Sequence, residues 1–167
     1  MLGLIVPQSW FIGMAPELLK KKGNQMIGRG RKGLSTKIHL ALSIAGVRSS
    51  YLSEGQRVDM KIFPMLWESG NWTGIQYIIA DKGYDYTAVR IPIKKAKKTP
   101  VIPRRSNAIF PGLQDIHKPY YRTRLAIERF FGRIKENKRL ALRFDKLAHT
   151  FFSFFALAAI KSLGLIC

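Results

Sequence analysis

The chain is short of acidic residues and almost without cysteine. Its 167 residues include 10 Asp and Glu against 29 Lys and Arg, which gives a formal net charge of +19. The one cysteine, Cys167, excludes an intrachain disulfide and a Cys-based metal site, and this fits a reducing compartment. So large a cationic excess points to a polyanionic partner such as nucleic acid. A basic surface of the ribosomal type is the simpler alternative.

Long apolar runs are also missing. The N-terminal run "MLGLIV" has no basic residue before it, unlike a signal peptide. The run "FFSFFALAAI" ends at Lys161 and is too short to span a bilayer, so no membrane partner is expected. Hydrophobic residues make up 47% of the chain and aromatic residues 11%, which is too apolar for a disordered protein. One folded domain is therefore expected.

The apolar periodicity predicts a mixed α/β domain over residues 34–167. Residues 1–33 show no regular pattern, and we expect an irregular basic segment that ends in "KKKGNQMIGRGRKG". Strands are predicted from period-2 alternation at 35–46 and from short apolar runs at 75–80 and 100–103. The turn at Ala45-Gly46 suggests a hairpin, with a second strand at 46–55. Helices are predicted at 57–69, at the start of 85–100, at 120–139 and at 146–163.

Asp81 follows directly after the apolar run "YIIA". The end of a buried strand is where α/β proteins place many site residues, because the strand holds the position while its tip meets solvent. An Asp that caps the following turn, "DKGYD", explains the same spacing at least as well. Both interpretations stay open on spacing alone.

Glu128 is the second carboxylate of interest, at the centre of the predicted helix 120–139. With about 3.6 residues per turn, one narrow polar stripe contains Tyr121, Arg124, Glu128 and Lys135. A separate apolar stripe, expected to face the core, contains Ile127, Phe130, Phe131 and Ile134. The simpler explanation of Glu128 is a surface ion pair with Arg124, worth about 0.3–0.5 kcal/mol.

The polar stripe matches the spacing Y-x2-R-x3-E-x6-K. With this match the sequence resembles the DDE-class transposases of bacterial insertion sequences, groups four and five. Other segments similar to that family are "GRGRKGLSTKIHLAL", "LSEGQRVDM", "IIADKGYD", "PVIPRRSN" and "RFDKLAHTFFSFFALAAI". The resemblance covers about residues 26–165. It implies an RNase H-like fold, with a mixed sheet flanked by helices, and a function in DNA transposition, with metal-dependent cleavage and transfer of strands at element ends.

The resemblance also implies roles for individual residues. Asp81 and Glu128 are the expected catalytic residues and metal ligands. Two Mg²⁺ ions would activate the attacking oxygen and stabilise the leaving one, and this hard cation prefers carboxylates to His or Cys. The residues expected to bind DNA are Tyr121, Arg124, Lys135, Arg122, Arg129, Arg133, Arg29, Arg31, Lys32, Lys94, Lys95, Arg104 and Arg105. Asp85 is expected to orient its turn rather than to bind metal.

The sequence departs from the family at the first catalytic Asp. The family carries this residue in an Asp-(Ser/Gly)-(Thr/Ser) segment on its first strand, whereas the only carboxylate in residues 1–22 here is Glu17. The sheet is therefore expected to be incomplete at that strand, although "LGLIV" is apolar enough to fill the place. Asp59 lies in a different family segment and is not expected to substitute. With two carboxylates for two metal ions, the isolated chain is expected to show little cleavage activity.

The segment "GLIV", residues 3–6, suggests an origin for this departure. Codons for Gly-Leu shifted by one base can read Asp-Ser, so a truncated or frameshifted product is expected, with an upstream reading-frame product as its partner. Double-stranded DNA, from the element ends and the target, and a second copy of the chain are the other expected partners. The expected location is the bacterial cytoplasm, at the nucleoid.

Two other classes of function stay open. The first is a non-catalytic DNA-binding protein derived from a transposase, which would use the positive charge alone. The second is a basic structural protein that binds folded RNA and gives the polar stripe no special role. A dependence of DNA binding or cleavage on metal and on Glu128 would separate the enzyme from both.

Overall fold

The computed structural model describes residues 2–11, 23, 25–30, 33–109 and 117–164. The strands in these ranges are β1 (Leu2–Phe11), β2 (Gly28–Gly30), β3 (Gly33–Ser43), β4 (Gly46–Glu54), β5 (Tyr77–Ala80) and β6 (Thr99–Val101). The helices are α1 (Asp59–Glu68), α2 (Thr87–Lys95), α3 (Lys118–Arg122), α4 (Leu125–Lys135), α5 (Lys138–Ala141) and α6 (Ala148–Ser162), and a 3₁₀ turn spans Lys82–Tyr84.

The strands form one mixed sheet. Its order is β2-β3-β1-β5-β6, and β4 pairs with β3. Strand β1 runs parallel to β5, with Leu2 opposite Tyr77 and Ile5 opposite Ala80, and β5 runs parallel to β6. Strand β2 is antiparallel to β3. The mixed α/β class predicted from the sequence is confirmed.

Strand β1 corrects two expectations for the N-terminal segment. Residues 1–33 were expected to be irregular, but Leu2–Phe11 and Gly28–Gly30 are strands. The place of the first strand, next to β5, is filled, as the apolar run "LGLIV" allowed, so the sheet is not left incomplete there. The physical reason is that pairing with β5 satisfies backbone hydrogen-bonding groups that burial would otherwise leave without partners. The domain boundary at residue 33 stays a prediction.

The predicted helix at 120–139 is in fact three helices, α3, α4 and α5. The Oγ1 atom of Thr123 donates to the carbonyl of Tyr120 at 2.6 Å, and the side chain of Asn137 accepts from the N–H of Arg139 at 3.1 Å. Side chains that bond to nearby backbone compete with the helical hydrogen bonds, and this favours a break at each point.

The break separates the residues of the predicted polar stripe. Tyr121 lies in α3 and Arg124 precedes α4, whereas Glu128 and Lys135 lie in α4. The prediction that one continuous helix carries all four residues of the stripe was therefore wrong. The apolar stripe of α4 is buried as predicted, with Ile127, Phe130, Phe131 and Ile134 each exposed by 5% or less.

The chain divides into two compact units. The first contains Met1–Pro7, His39–Tyr51 and Val58–Ile127, and the second contains Gln8–Ile38, Leu52–Arg57 and Glu128–Cys167. The core of the first unit includes Ala41, Phe63, Leu66, Ile78, Ala80, Tyr84, Val89 and Ile93. Buried side chains of the second unit include Phe130, Phe131, Ile134, Leu140, Phe151, Phe155 and Ala159.

The remaining elements lie close to their predicted positions. Alternation in the sequence located β3, the turn at Ala45-Gly46 located β4, and apolar runs located β5 and β6. Helices α1 and α6 also begin and end within a few residues of their predicted bounds, and α2 begins close to the start of 85–100, as predicted. Among the described helices, none has both the length and the hydropathy needed to cross a membrane.

Candidate active site and DNA-binding residues

Asp81 lies at the carboxyl end of β5. Its Oδ1 atom accepts the N–H of Gly83 at 2.7 Å and so caps the 3₁₀ turn that follows. The capping role that the sequence left open is therefore present in the structure. The same bond orients the carboxylate, and a fixed orientation is what a metal ligand requires.

Asp59, the first residue of α1, lies near Asp81 in the first unit. A Cβ atom placed on Gly83 would be 2.8 Å from Oδ1 of Asp81 and 3.3 Å from Oδ2 of Asp59. Both carboxylates therefore approach one point, which is open because residue 83 has no side chain. Asp59 was not expected to substitute for the missing Asp, because it lies in a different family segment. Its proximity to Asp81 depends on how α1 packs in the first unit.

A buried hydroxyl group lies close to these carboxylates. The OH of Tyr84 is 3.3 Å from Nδ1 of His39, and both residues are fully buried. Burial, and then the charges of Asp59 and Asp81, raise the pKa of Tyr84 well above its ordinary value. The phenol therefore stays protonated at neutral pH, and the site gains no further negative charge from it.

The carboxylates fit a divalent metal ion in their donor chemistry. Mg²⁺ takes oxygen ligands and is commonly held by only one or two carboxylates together with water and substrate phosphates. Within the described residues, no group of three or more His, Cys, Asp or Glu side chains is placed to hold a metal ion. Asp59 and Asp81 are a pair in the first unit that could contribute to such a site.

Glu128 is exposed in the first turn of α4, in the second unit. A negative charge there is stabilised by the dipole of the helix. Lys135 lies in the last turn of the same helix, and desolvation lowers the pKa of its amine below the ordinary value. The metal-binding role of Glu128 rests on the sequence motif and stays a prediction.

Helix α3 packs against β5, the strand that ends directly before Asp81. The rings of Tyr77 in β5 and Tyr120 in α3 stack, with centroids 4.5 Å apart. The guanidinium carbon of Arg124 is 5.7 Å from the ring centroid of Tyr121, within the range of a cation–π contact. Two of the predicted DNA-binding residues, Tyr121 and Arg124, are therefore neighbours.

Most of the other predicted DNA-binding residues present their charge to solvent. The exposed ones are Arg29, Lys94, Lys95, Arg104, Arg122, Arg129 and Arg133. Arg105 is half-buried, and Nη1 of Arg133 donates to the carbonyl of Ser162 at 3.4 Å. Arg31 and Lys32 lie outside the described residues. Exposed cations are suited to phosphate contacts, but their roles stay predictions.

Asp85 is surrounded by cations rather than placed for a metal. Its Oδ1 accepts from Nε of Arg90 at 2.8 Å, and its Oδ2 accepts from the backbone N–H of Arg105 at 2.9 Å. Burial raises the pKa of this carboxyl, but these bonds and the charges of Arg90 and Arg104 outweigh burial and lower it. These contacts agree with the expectation that Asp85 orients its turn. No sequence signal indicated that Arg90 would be the partner.

A comparison with protein families matches residues 15–161 to the family described as "Transposase DDE domain". The chain belongs to this family. Among curated protein sequences, none matches this member of the transposase DDE family.

Two solved structures have a fold similar to that of this DDE-family chain. They are titled "Crystal structure of the Mos1 mariner paired end complex with Mn", with a TM-score of 0.56, and "Crystal structure of a pre-cleavage Mos1 transpososome", with a TM-score of 0.54. In both, 10% of residues are identical, and the match covers 98% of this chain but 52% of the other. The chain thus spans about half the length of these proteins. The similarity confirms the RNase H-like α/β fold.

Proposed function

We propose that the chain is the catalytic part of a bacterial insertion-sequence transposase of groups four and five, and that it acts in DNA transposition. The observation that carries the proposal is Asp81, oriented at the end of β5 and close to Asp59, in a chain of the transposase DDE family. The spacing of Tyr121, Arg124, Glu128 and Lys135 supports the assignment to these groups.

In this proposal Asp81 and Glu128 hold Mg²⁺, and Asp59 is a third carboxylate close to Asp81. When bound, the metal ion would stabilise charge on the phosphoryl group and activate the attacking oxygen. The Gly83 N–H keeps the Asp81 carboxylate oriented. Tyr121, Arg124 and Lys135 bind phosphates of double-stranded DNA, and the other exposed cations follow the DNA backbone.

Binding of Mn²⁺, followed by calorimetry in the absence of DNA, tests the metal site. We expect Asp81→Asn and Glu128→Gln each to weaken Mn²⁺ binding at least about tenfold, since even the loss of an outer partner of a metal ligand costs 10–100-fold. Asp145→Asn is the matched control, because Asp145 is held by Arg139 at 2.6 Å and is not a proposed ligand. Equal Mn²⁺ affinities in all these variants would contradict the proposed site.

The isolated chain is proposed to cleave DNA poorly, because the family's first catalytic Asp is absent. The measurement is cleavage of labelled duplexes that carry the ends of the element, with Mg²⁺ or Mn²⁺. Efficient cleavage by the wild-type chain that Asp81→Ala abolishes would show that the carboxylates present are sufficient. The proposal of low activity would then be wrong, while the proposed transposase function would stand.

The proposed frameshift would place an Asp at position 3, where the surroundings are apolar. A Cβ atom at this position would lie 3.1 Å from Cγ2 of Ile75 and 3.2 Å from Cδ1 of Ile78. A carboxylate there would be buried against apolar groups, which is costly, so this backbone does not favour an Asp at position 3. Sequencing the flanking DNA tests the idea: inverted repeats and an upstream frame that encodes the Asp segment would support it, and their absence would contradict it.

A non-catalytic DNA-binding protein is the second candidate, favoured by the net charge of +19 and the exposed cations. It predicts that DNA affinity is the same with and without divalent metal and in Glu128→Gln, and that no Mn²⁺ site exists. A structural RNA-binding protein would instead prefer folded RNA to duplex DNA. A second copy of the chain, an upstream reading-frame product and a nucleoid location remain proposals, and sedimentation of the purified chain tests the first.

A further inference from the structure

A cluster in the first unit joins one carboxylate to three arginines. Nε and Nη2 of Arg90 both lie 2.8 Å from Oδ1 of Asp85, and Nη1 of Arg104 lies 3.7 Å from the same oxygen. Oδ2 of Asp85 accepts the backbone N–H of Arg105. One negative charge therefore faces two guanidinium groups, those of Arg90 and Arg104, so the cluster keeps an excess of positive charge.

The pair of Asp85 and Arg90 fixes the chain on both sides of Arg104. Nη2 of Arg90 donates to the carbonyl of Ile102 at 2.7 Å, and Asp85 accepts the N–H of Arg105 at 2.9 Å. Pro103 lies between these two bonds and has a restricted φ. The backbone that carries Arg104 is therefore held at both ends. We call this pair, with its bonds to residues 102 and 105, the Asp85–Arg90 brace.

The two arginines that the brace holds differ in their surroundings. The side chain of Arg104 is 54% exposed, whereas that of Asp85 is 6% exposed. The guanidinium carbon of Arg105 lies over the ring of Tyr86, 4.0 Å from its centroid, in a cation–π position. This contact restrains the guanidinium, whose planar shape matches the oxygens of a phosphate. The brace thus presents two adjacent and oriented cations.

We propose that Arg104 and Arg105 form a preorganised anchor for backbone phosphates of double-stranded DNA, and that Asp85 and Arg90 are its positioning residues. The identity of the partner rests on the function proposed above. Holding the side chains before DNA arrives reduces the entropy lost on binding, so a buried carboxylate strengthens the affinity for a polyanion. Net charge alone predicts the opposite effect. Removing Asp85 makes the protein more positive, and this by itself would strengthen DNA binding.

This difference in sign provides the test. Binding of a labelled DNA duplex is measured by fluorescence anisotropy in EDTA, so that the result does not depend on a metal site. We expect Asp85→Asn to weaken DNA binding by a factor of about 2 to 10, the cost of ordering one or two arginine side chains. The slope of log affinity against log salt should fall by about one for a lost phosphate contact.

The matched control is Asp145→Asn. Asp145 is also 6% exposed and also ion-paired, to Arg139, so the two variants change the charge equally. We expect Asp145→Asn to bind DNA as tightly as the wild-type chain or more tightly. If Asp85→Asn behaves like Asp145→Asn while the wild-type chain binds duplex DNA, the brace has no positioning role and the inference is overturned.

A comparison of Arg104→Ala with Lys61→Ala keeps the inference testable if Asp85→Asn folds poorly, because it uses no variant of Asp85. Arg104→Ala changes an exposed side chain and should weaken DNA binding more than Lys61→Ala, an exposed cation on α1. In a background that lacks both arginine side chains, Asp85→Asn should have no further effect on affinity. An equal loss from Arg104→Ala and Lys61→Ala, or an unchanged effect of Asp85→Asn in that background, would contradict the anchor.

The failure of the proposed function gives a different result. A wild-type chain that does not bind duplex DNA at low salt would overturn both the proposed function and the DNA anchor. Preferential binding of folded RNA, weakened by Asp85→Asn, would overturn the choice of DNA as the partner. Both outcomes can be told apart from the result that overturns the brace alone, in which the wild-type chain binds duplex DNA and Asp85→Asn behaves like Asp145→Asn.

Discussion

Gly83 illustrates how one residue without a side chain shapes the proposed active site. Its N–H orients Asp81, and the space where its Cβ would stand is approached by oxygens of Asp81 and Asp59. An added methyl group 2.8 Å from Oδ1 of Asp81 cannot be accommodated without a shift. The glycine is therefore part of the geometry of the site.

We predict that Gly83→Ala weakens Mn²⁺ binding by displacing the Asp81 carboxylate, as measured by calorimetry. The control is Gly132→Ala in α4, where an added Cβ would meet no atom within 4 Å. That change should stabilise the chain, because Ala is better than Gly in a helix by about 1 kcal/mol. An unchanged Mn²⁺ affinity in Gly83→Ala would contradict the geometry described for Asp81.

Asp85 predicts a pH dependence of stability. Burial raises its pKa, but the N–H of Arg105 and the guanidinium of Arg90 outweigh burial, so the folded value lies below the ordinary 3.8. The contribution to the free energy of unfolding is therefore present above the ordinary value and is lost as pH falls through the folded one. The stability difference between the wild-type chain and Asp85→Asn should shrink below this range.

Urea unfolding at a series of pH values measures this difference in a Trp10→Phe background, which leaves the fluorescence of Trp67 and Trp72 as the signal. The Trp67 and Trp72 rings stack, with centroids 4.6 Å apart, within the first unit. Both should therefore report on the unit that contains Asp85. A difference that stays constant from neutral to acid pH would mean that the Asp85 ion pairs do not contribute to stability.

At the scale of elements, a buried arginine links the segment before β2 to the segment before α6. Arg143 is fully buried, and its guanidinium donates to the carbonyls of Gln25 and Met26. Its guanidinium carbon lies 4.8 Å from the ring centroid of Phe151. Burial lowers the pKa of Arg143 to about 10, so the group stays charged at neutral pH.

We expect Arg143→Met to lower the free energy of unfolding by about 1.5–3 kcal/mol, the range for hydrogen bonds made by charged groups. Both carbonyls would lose the guanidinium donor, and methionine offers no replacement, although the Met26 carbonyl would still accept from Oγ1 of Thr36. Urea unfolding measures the change, and Arg122→Met, at an exposed position, is the control. A loss no greater than that of the control would show that Arg143 does not hold the segment at residues 25–26.

The helix predicted at 120–139 shows what periodicity cannot reveal. Its apolar spacing identified the buried face of α4, because that spacing depends only on residues within one helix. The breaks at Thr123 and Asn137 depend on side-chain bonds to nearby carbonyl and N–H groups. Asn137 followed by a basic helical run was a usable N-cap signal. The break at Thr123 had no comparable signal.

For the whole molecule, the net charge of +19 predicts strongly salt-dependent DNA binding. If six or more phosphates are contacted, affinity for a DNA duplex should fall by about 10³-fold between roughly 50 and 200 mM salt. Fluorescence anisotropy with a labelled duplex measures the slope. A slope near zero would mean that the cations do not contact phosphates. Tighter binding of folded RNA than of duplex DNA at the same salt concentration would favour the RNA-binding alternative.

The sequence by itself determined most of the secondary structure and the family. Strands β3 to β6 and helices α1, α2 and α6 follow from local alternation and apolar runs, and the motif residues are readable as a pattern. The two carboxylates proposed for catalysis, Asp81 and Glu128, came from that pattern. Local periodicity suffices here because each element buries one face of its own.

Only the tertiary structure decided which distant side chains meet. It filled the place of the first strand with β1, brought Asp59 near Asp81, and gathered Arg90, Arg104 and Arg105 around Asp85. These contacts depend on how separate elements pack, and no local period encodes that packing. For the same reason the sequence marked Asp85 as a residue of a turn, whereas the fold makes it the centre of a cationic cluster.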